Sequence, residues 1–217
     1  MHRTVSLGRC FMAVALATIL LTSPAAGFAQ LGGLLPSPPA ATSSTVVGDA
    51  SAARVSVLGI LGTAMTTALA DTGTLTTANN ALDASMLAGG IPSALSAETL
   101  SASTISWADQ VDSEASLGNL SMTVAGVGIT ADFVMAEATQ VLGAAGSGSS
   151  TLTNLVINGT PIAVTGAPNQ AVWIPGGQVI LNEQTISSTG AAVVNALHVV
   201  VTGVADVVVA SATAGVS

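Results

Sequence analysis

Lysine occurs nowhere in this chain of 217 residues, and its three strong bases are all arginines. Arg3 and Arg9 sit at the extreme N-terminus, so Arg54 alone stands against all eleven carboxylates in the rest, a formal charge of −10 with His198 neutral. Without lysine there is no Schiff-base amine, no lysine isopeptide cross-link and no P-loop. With one cation there is nothing to neutralise phosphate, which excludes nucleic acid and anionic lipid as partners. The single cysteine, Cys10, leaves no intrachain disulfide to make. Tyrosine is absent, and beyond residue 29 the aromatics are only Trp107, Phe133 and Trp173. His198 is the only histidine in that part. A serine hydrolase would need it as base beside a nucleophile, but no G-x-S-x-G elbow exists. Its place in a valine-rich strand reads as structural.

The first residues have the three-part layout of a secretory signal. His2, Arg3 and Arg9 are basic, and an apolar run from Cys10 to Leu21 follows. That run falls short of the roughly 20 apolar residues needed to cross a bilayer. Gly27 and Ala29 are small residues at the −3 and −1 positions, which predicts cleavage between Ala29 and Gln30. Residues 1–29 are therefore read as a signal peptide and the protein as exported, secreted or held at the cell surface, with no membrane span once the signal is removed. Cys10 precedes the apolar run, so it is no lipoprotein acceptor.

Half of the residues are apolar, which sets the chain apart from disordered proteins of low hydrophobicity and high charge. Residues 30–50, rich in Pro, Gly, Ser and Thr, read as a linker or arm. The stretch 51–217 is long enough to bury roughly 70% of the surface its unfolded chain exposes. With so few aromatics, its core has to come from Val, Ala, Leu and Ile.

Period two dominates this stretch. Leu120, Met122 and Val124 alternate with Ser121 and Thr123, and the odd positions from Val127 to Met135 are apolar or small. Val193 to Val201 is apolar on both faces apart from Asn195 and His198, the mark of a central strand. Asn158 and Gly159, between two apolar runs, specify a two-residue type I′ hairpin. That turn pairs Ile157 with Thr160 and Leu155 with Ile162, and puts Pro161 opposite Val156 on an edge strand or bulge. Residues 79–92 are the best candidate for a helical turn or short helix, ended by Gly89, Gly90 and Pro92. Residues 120–139 and 197–213 echo each other and predict two hairpins, turning near Gly126 and Gly203, with Asp132 and Asp206 in similar places. The expectation is one all-β domain, a single antiparallel β-sandwich of about ten short strands. A β-solenoid is the alternative, although no fixed repeat supports it.

Few residues offer chemistry. Asp109, Asp112 and Glu114 lie close enough to supply part of a calcium shell, or to form a solvated acidic edge. Their spacing is not that of an EF-hand. Glu137 shares a face with Phe133 and Met135 in an unbroken strand, so it is either buried with a partner or turned outward by a bulge. The bulge reading avoids burying an unpaired carboxylate. Five residues of strand would set Glu137 on the face opposite Asp132. Trp173, before Pro175, Gly176 and Gly177, is either core packing or an exposed platform for a sugar. No cofactor is expected.

The stretches Leu155-Val156-Ile157-Asn158-Gly159, Ile174-Pro175-Gly176-Gly177, Leu181-Asn182-Glu183-Gln184 and Val194-Asn195-Ala196-Leu197-His198-Val199 form a set with the run from Ala205 to Ala212. In order and spacing this set resembles the choice-of-anchor P family of bacterial exported proteins, over about residues 52–217. The resemblance implies a surface or extracellular domain and no catalytic residues. The chain ends at Ser217 without an apolar tail, basic stop or sortase-type motif, a departure from the anchored pattern. The expected function is non-enzymatic: a structural or interaction role in envelope or matrix, through self-association or other surface components. The alternatives are a secreted carbohydrate- or calcium-binding module, or a polysaccharide hydrolase using a carboxylate pair among Asp109, Asp112, Glu114 and Glu183.

Overall fold

The computed structural model describes residues 44–58 and 64–217. The expected signal peptide (residues 1–29), its expected cleavage site at Ala29 and Gln30, and residues 30–43 of the expected linker or arm lie outside the described residues. Those described form strands and no helix. In chain order the strands are β1 (Val46–Leu58), β2 (Ala64–Asp71), β3 (Asn80–Ile91), β4 (Leu95–Ser106), β5 (Gln110–Val124) and β6 (Val127–Val141). There follow β7 (Ser147–Thr153), β8 (Val156–Ile157), β9 (Thr160–Pro161), β10 (Gln170–Ile174), β11 (Gly177–Ile186), β12 (Ala192–Val201) and β13 (Ala205–Val216). Folding starts earlier than the expected boundary at residue 51. Val46 to Ala50 already pair with β13, because Val46, Gly48 and Ala50 extend the inward-facing set of β1.

Two open antiparallel sheets result. The first runs β10, β11, β12, β13, β1, β2. The second runs β3, β4, β5, β6, β8, β9, with β7 also on β6. They stack almost strand over strand: β1 over β4 and β5, β13 over β5 and β6, β12 over β6 and β7. This is a sandwich and not a solenoid. Its core is Val, Ala, Leu and Ile with one methionine, Met122, and contains no aromatic ring. Apolar side chains on facing strands supply the burial that holds the sheets together, at roughly 25 cal/mol per Å².

The local turns behave as their sequences dictate. Asn158 (φ 49°) and Gly159 (φ 78°) form the two-residue turn between β8 and β9, with Ile157 opposite Thr160 and Val156 opposite Pro161. Ile162 N–H donates to the Leu155 carbonyl at 2.9 Å, and β9 lies at a sheet edge, where proline is tolerated. The echoed segments are both hairpins. One turns through Ala125 (φ 49°) and Gly126 (φ 82°), the other through a loop with Gly203 at φ 71°. Their aspartates do not correspond: Asp206 lies beside the start of its strand, whereas Asp132 lies in mid-strand on β6. The echo is therefore one of hairpin form and not of position.

The segment 79–92 is a strand, not a helix: Asn80 to Ile91 pair with β4 from Ser106 to Leu95. Ala, Leu and Met give it helix propensity, but propensity is worth only tenths of a kcal/mol per residue and yields to a full ladder.

Each sheet carries a transverse crease. In the first, Ala70, Ala52, Ala210, Ala196 and Asn182 form a line across five strands where the residue-by-residue pairing skips one position. Ala70, Ala210 and Asn182 have φ of 44°, 52° and 51°. In the second, Leu87, Thr99, Asn119, Asp132 and Asn154 form the equivalent line, with positive φ at Thr99, Asn119 and Asn154. The inward side of each strand switches there from odd to even positions or back. On β6 the buried set is Val127, Ile129 and Ala131 before the crease, then Val134, Ala136 and Ala138 after it. The switch turns Phe133, Met135 and Glu137 together to the outside, so Glu137 faces outward as the bulge reading expected. It also leaves Asp132 exposed on the same strand, where unbroken alternation would have opposed it to Glu137.

Candidate functional site

The outer face of the first sheet concentrates the polar chemistry. Beside its crease one row crosses five strands, each residue paired to the next: Glu183, Asn195, Ser211, Ser51 and Asp71. Asn195 Nδ2 donates to Glu183 Oε2 at 2.7 Å, and Ser211 Oγ donates to Asn195 Oδ1 at 2.7 Å. Ser51 Oγ is buried without a partner among the described residues. At the end of the row Arg54 reaches Asp71 at 3.1 Å and Asp49 at 3.5 Å.

His198 stands beyond the crease from this row, with Nδ1 2.8 Å from Glu183 Oε2 and Nε2 3.1 Å from Asp206 Oδ1. The imidazole thus joins β11, β12 and β13 across the sheet. Both ring nitrogens are taken by carboxylates, and no hydroxyl is bonded to either, so no serine-type nucleophile is assembled on it. Sequence reasoning placed His198 in the sheet but missed its partners. Glu183 and Asp206 are 15 and 8 residues away, and only strand register brings them together.

Trp173 is not core packing. It lies on the edge strand β10, 79% exposed, opposite Gln178 of β11. The register continues the row from Gln178 to Val200, Asp206 and Ser56, all on the same outer face as His198.

The acidic trio splits. Asp109 lies in the turn between β4 and β5, while Asp112 and Glu114 are on β5. Asp112 Oδ2 accepts from Gln110 Nε2 at 2.8 Å, and Asp112 Oδ1 is buried without a partner among the described residues. Glu114 stands directly opposite Glu137, which accepts from Ser149 Oγ at 3.1 Å. Like charges so placed oppose the ladder. An open depression of about 340 Å³ on the outer face of the second sheet is lined by Ser103, Ile105, Asp112, Glu114, Glu137 and Thr139. Glu183 belongs to the other sheet, so it does not join this group. Among the described residues no group of three His, Cys, Asp or Glu is placed to hold a metal ion.

The sheet edges complete the surface. β3 is an edge strand of 12 residues whose only charge is Asp83. Leu87, on its crease, is 89% exposed, and Met65 on the neighbouring edge strand β2 is 74% exposed. Among the described residues no helix is long and apolar enough to cross a membrane. No family model, no curated protein and no solved structure matches the chain.

Proposed function

We propose that this chain is a non-enzymatic exported protein of the cell surface or matrix, which works by strand-edge association with copies of itself or with other surface components. The observation that carries the reading is the β3 edge. A long edge strand offers a row of unpaired backbone N–H and C=O groups, and proteins that stay monomeric guard such edges with lysine, proline or short length. Here the edge runs for 12 residues with one carboxylate, broken only by the crease at Leu87, which itself stands in solvent. The signal-like N-terminus and the resemblance to the choice-of-anchor P family support the location.

The chain without residues 1–29, run in light scattering over a concentration series, tests this. The expected outcome is a mass that rises with concentration, and a Leu87→Lys, Ser85→Lys variant that stays monomeric while keeping its β-sheet circular dichroism. A wild-type protein that remains monomeric at high concentration, with and without calcium, removes self-association from the proposal.

The hydrolase alternative draws on one observation, the Glu114 and Glu137 pair. A glycosidase sets its two carboxyl groups roughly 5–10 Å apart on either side of the bond it cleaves. These two stand directly opposite each other on adjacent strands and line one shallow depression, rather than facing each other across a cleft, and the association reading is therefore preferred.

A further inference from the structure

We infer that the outer face of the first sheet, from Trp173 across to Ser56, is a binding platform for a neutral polysaccharide. Trp173 presents its indole to solvent on the edge strand β10, with 79% of the residue exposed, and among the described residues no aromatic ring is buried. Such a residue is stable as folded only because nothing better packs it, and it keeps a large apolar area ready for a ligand. The residues that follow in its row are Gln178, Val200, Asp206 and Ser56. Neighbouring strands are about 4.8 Å apart, so the row from Trp173 to Ser56 is about 19 Å long. It offers an aromatic face, an amide, an apolar floor, a carboxylate and a hydroxyl in sequence.

This composition selects the ligand. A sugar ring has an apolar C–H face and a rim of hydroxyls, which match an indole flanked by hydrogen-bonding side chains. A protein partner would want the exposed aromatic enclosed in a dry apolar ring. Here Ala171 is the outward residue two positions along β10, and Gln178 is opposite. An anionic polymer is repelled by a surface with eleven carboxylates and one strong base. A cationic one would be attracted by the same charge, and salt would weaken its binding; one Asp206 oxygen, Oδ1, is already engaged by His198 Nε2 at 3.1 Å. The same contact orients the Asp206 carboxylate, and Ser56 Oγ is likewise fixed 2.8 Å from Thr66 Oγ1. Asp206 and Ser56 are thus set before a ligand arrives, which lowers the cost of ordering them on binding.

The test is co-sedimentation of the chain lacking residues 1–29 with washed insoluble cellulose, chitin and starch, in 50 mM and 500 mM NaCl. The expected result is retention on at least one of the three, equal at both salt concentrations because the ligand carries no charge. Trp173→Ala should weaken retention at least tenfold, as loss of an aromatic anchor does. Trp173→Phe should keep part of it, and Trp107→Ala all of it. Leu87→Lys should bind as wild type does, which separates this platform from the β3 edge. Retention by none of the polymers, equal retention of Trp173→Ala, or loss of binding at 500 mM NaCl would each overturn the inference.

Discussion

At the scale of single residues, the side chains that matter most to stability are polar ones inside an aliphatic core. Gln140 is 2% exposed and uses every part of its amide. Its Nε2 donates to the carbonyls of Ala144 and Thr189, each at 3.1 Å, and its Oε1 accepts from Val216 N–H at 2.8 Å. It therefore ties two loops and the last strand to β6. Gln140→Leu keeps the volume but strands one donor and two acceptors. Of these only the Val216 N–H is held in a buried bond, and one buried group so left costs about 1–3 kcal/mol. The variant should lose at least that much in urea unfolding, with an unchanged slope. A loss below about 0.5 kcal/mol would mean that water or backbone takes over the amide's role. A second polar chain crosses between the sheets, where Ser113 Oγ donates to the Thr213 carbonyl at 2.6 Å and lies 2.7 Å from Thr104 Oγ1. These bonds fix which parts of the two sheets face each other, something a uniform Val and Ala surface specifies poorly.

At the scale of elements, turns and creases follow different rules. The turn between β5 and β6 places Ala125 at φ 49°, where an L residue with a Cβ is strained by roughly 1–2 kcal/mol. Ala125→Gly at this exposed turn should therefore stabilise the protein by about 1 kcal/mol, read as a higher urea midpoint. What the sequence made legible divides along the same line. The turn at Asn158 and Gly159 could be read because its signal is local, two residues that tolerate positive φ between apolar runs. The strands on either side of Gly126 and Gly203 could be read from their alternation. The creases could not, because Ala52, Ala70, Ala196 and Ala210 carry no sign of where a strand changes face. The orientations of Glu137 and Asp132 depend on that change. β3 departs from its sequence signal for the opposite reason: its Ala, Leu and Met do favour a helix locally, and pairing with β4 overrides them. The His198 cluster and the Trp173 row follow from register alone. The exposure of Trp173 follows from its register in β10, which sets it opposite Gln178 on the outer face.

At the scale of the whole molecule, charge and edges act against each other. Eleven carboxylates and one strong base in the folded part make every copy repel every other, while the β3 edge favours pairing. Salt screens only the first of these, since the Debye length falls from about 10 Å at 0.1 M to about 3 Å at 1 M. Association measured by light scattering should therefore strengthen from 0.1 M to 1 M NaCl, and a fall in mass over that range would point to ionic rather than strand-edge contacts. One further feature bears on how the domain would carry tension. Thr45 and Ser217 exchange backbone hydrogen bonds of 2.8 and 2.9 Å, so the described chain enters and leaves the fold side by side on neighbouring strands. Pulled apart at those two points, the ladder between β1 and β13 would be loaded one rung at a time, starting at Val46 and Val216, and would peel like a zipper under a small force. Pulled between Thr45 and a ligand held on Trp173, the load would cross the β1, β13, β12, β11 and β10 ladders diagonally, shared by many bonds at once. Held by one end and gripping through its face, the domain is a strong link, and held by both ends it is a weak one.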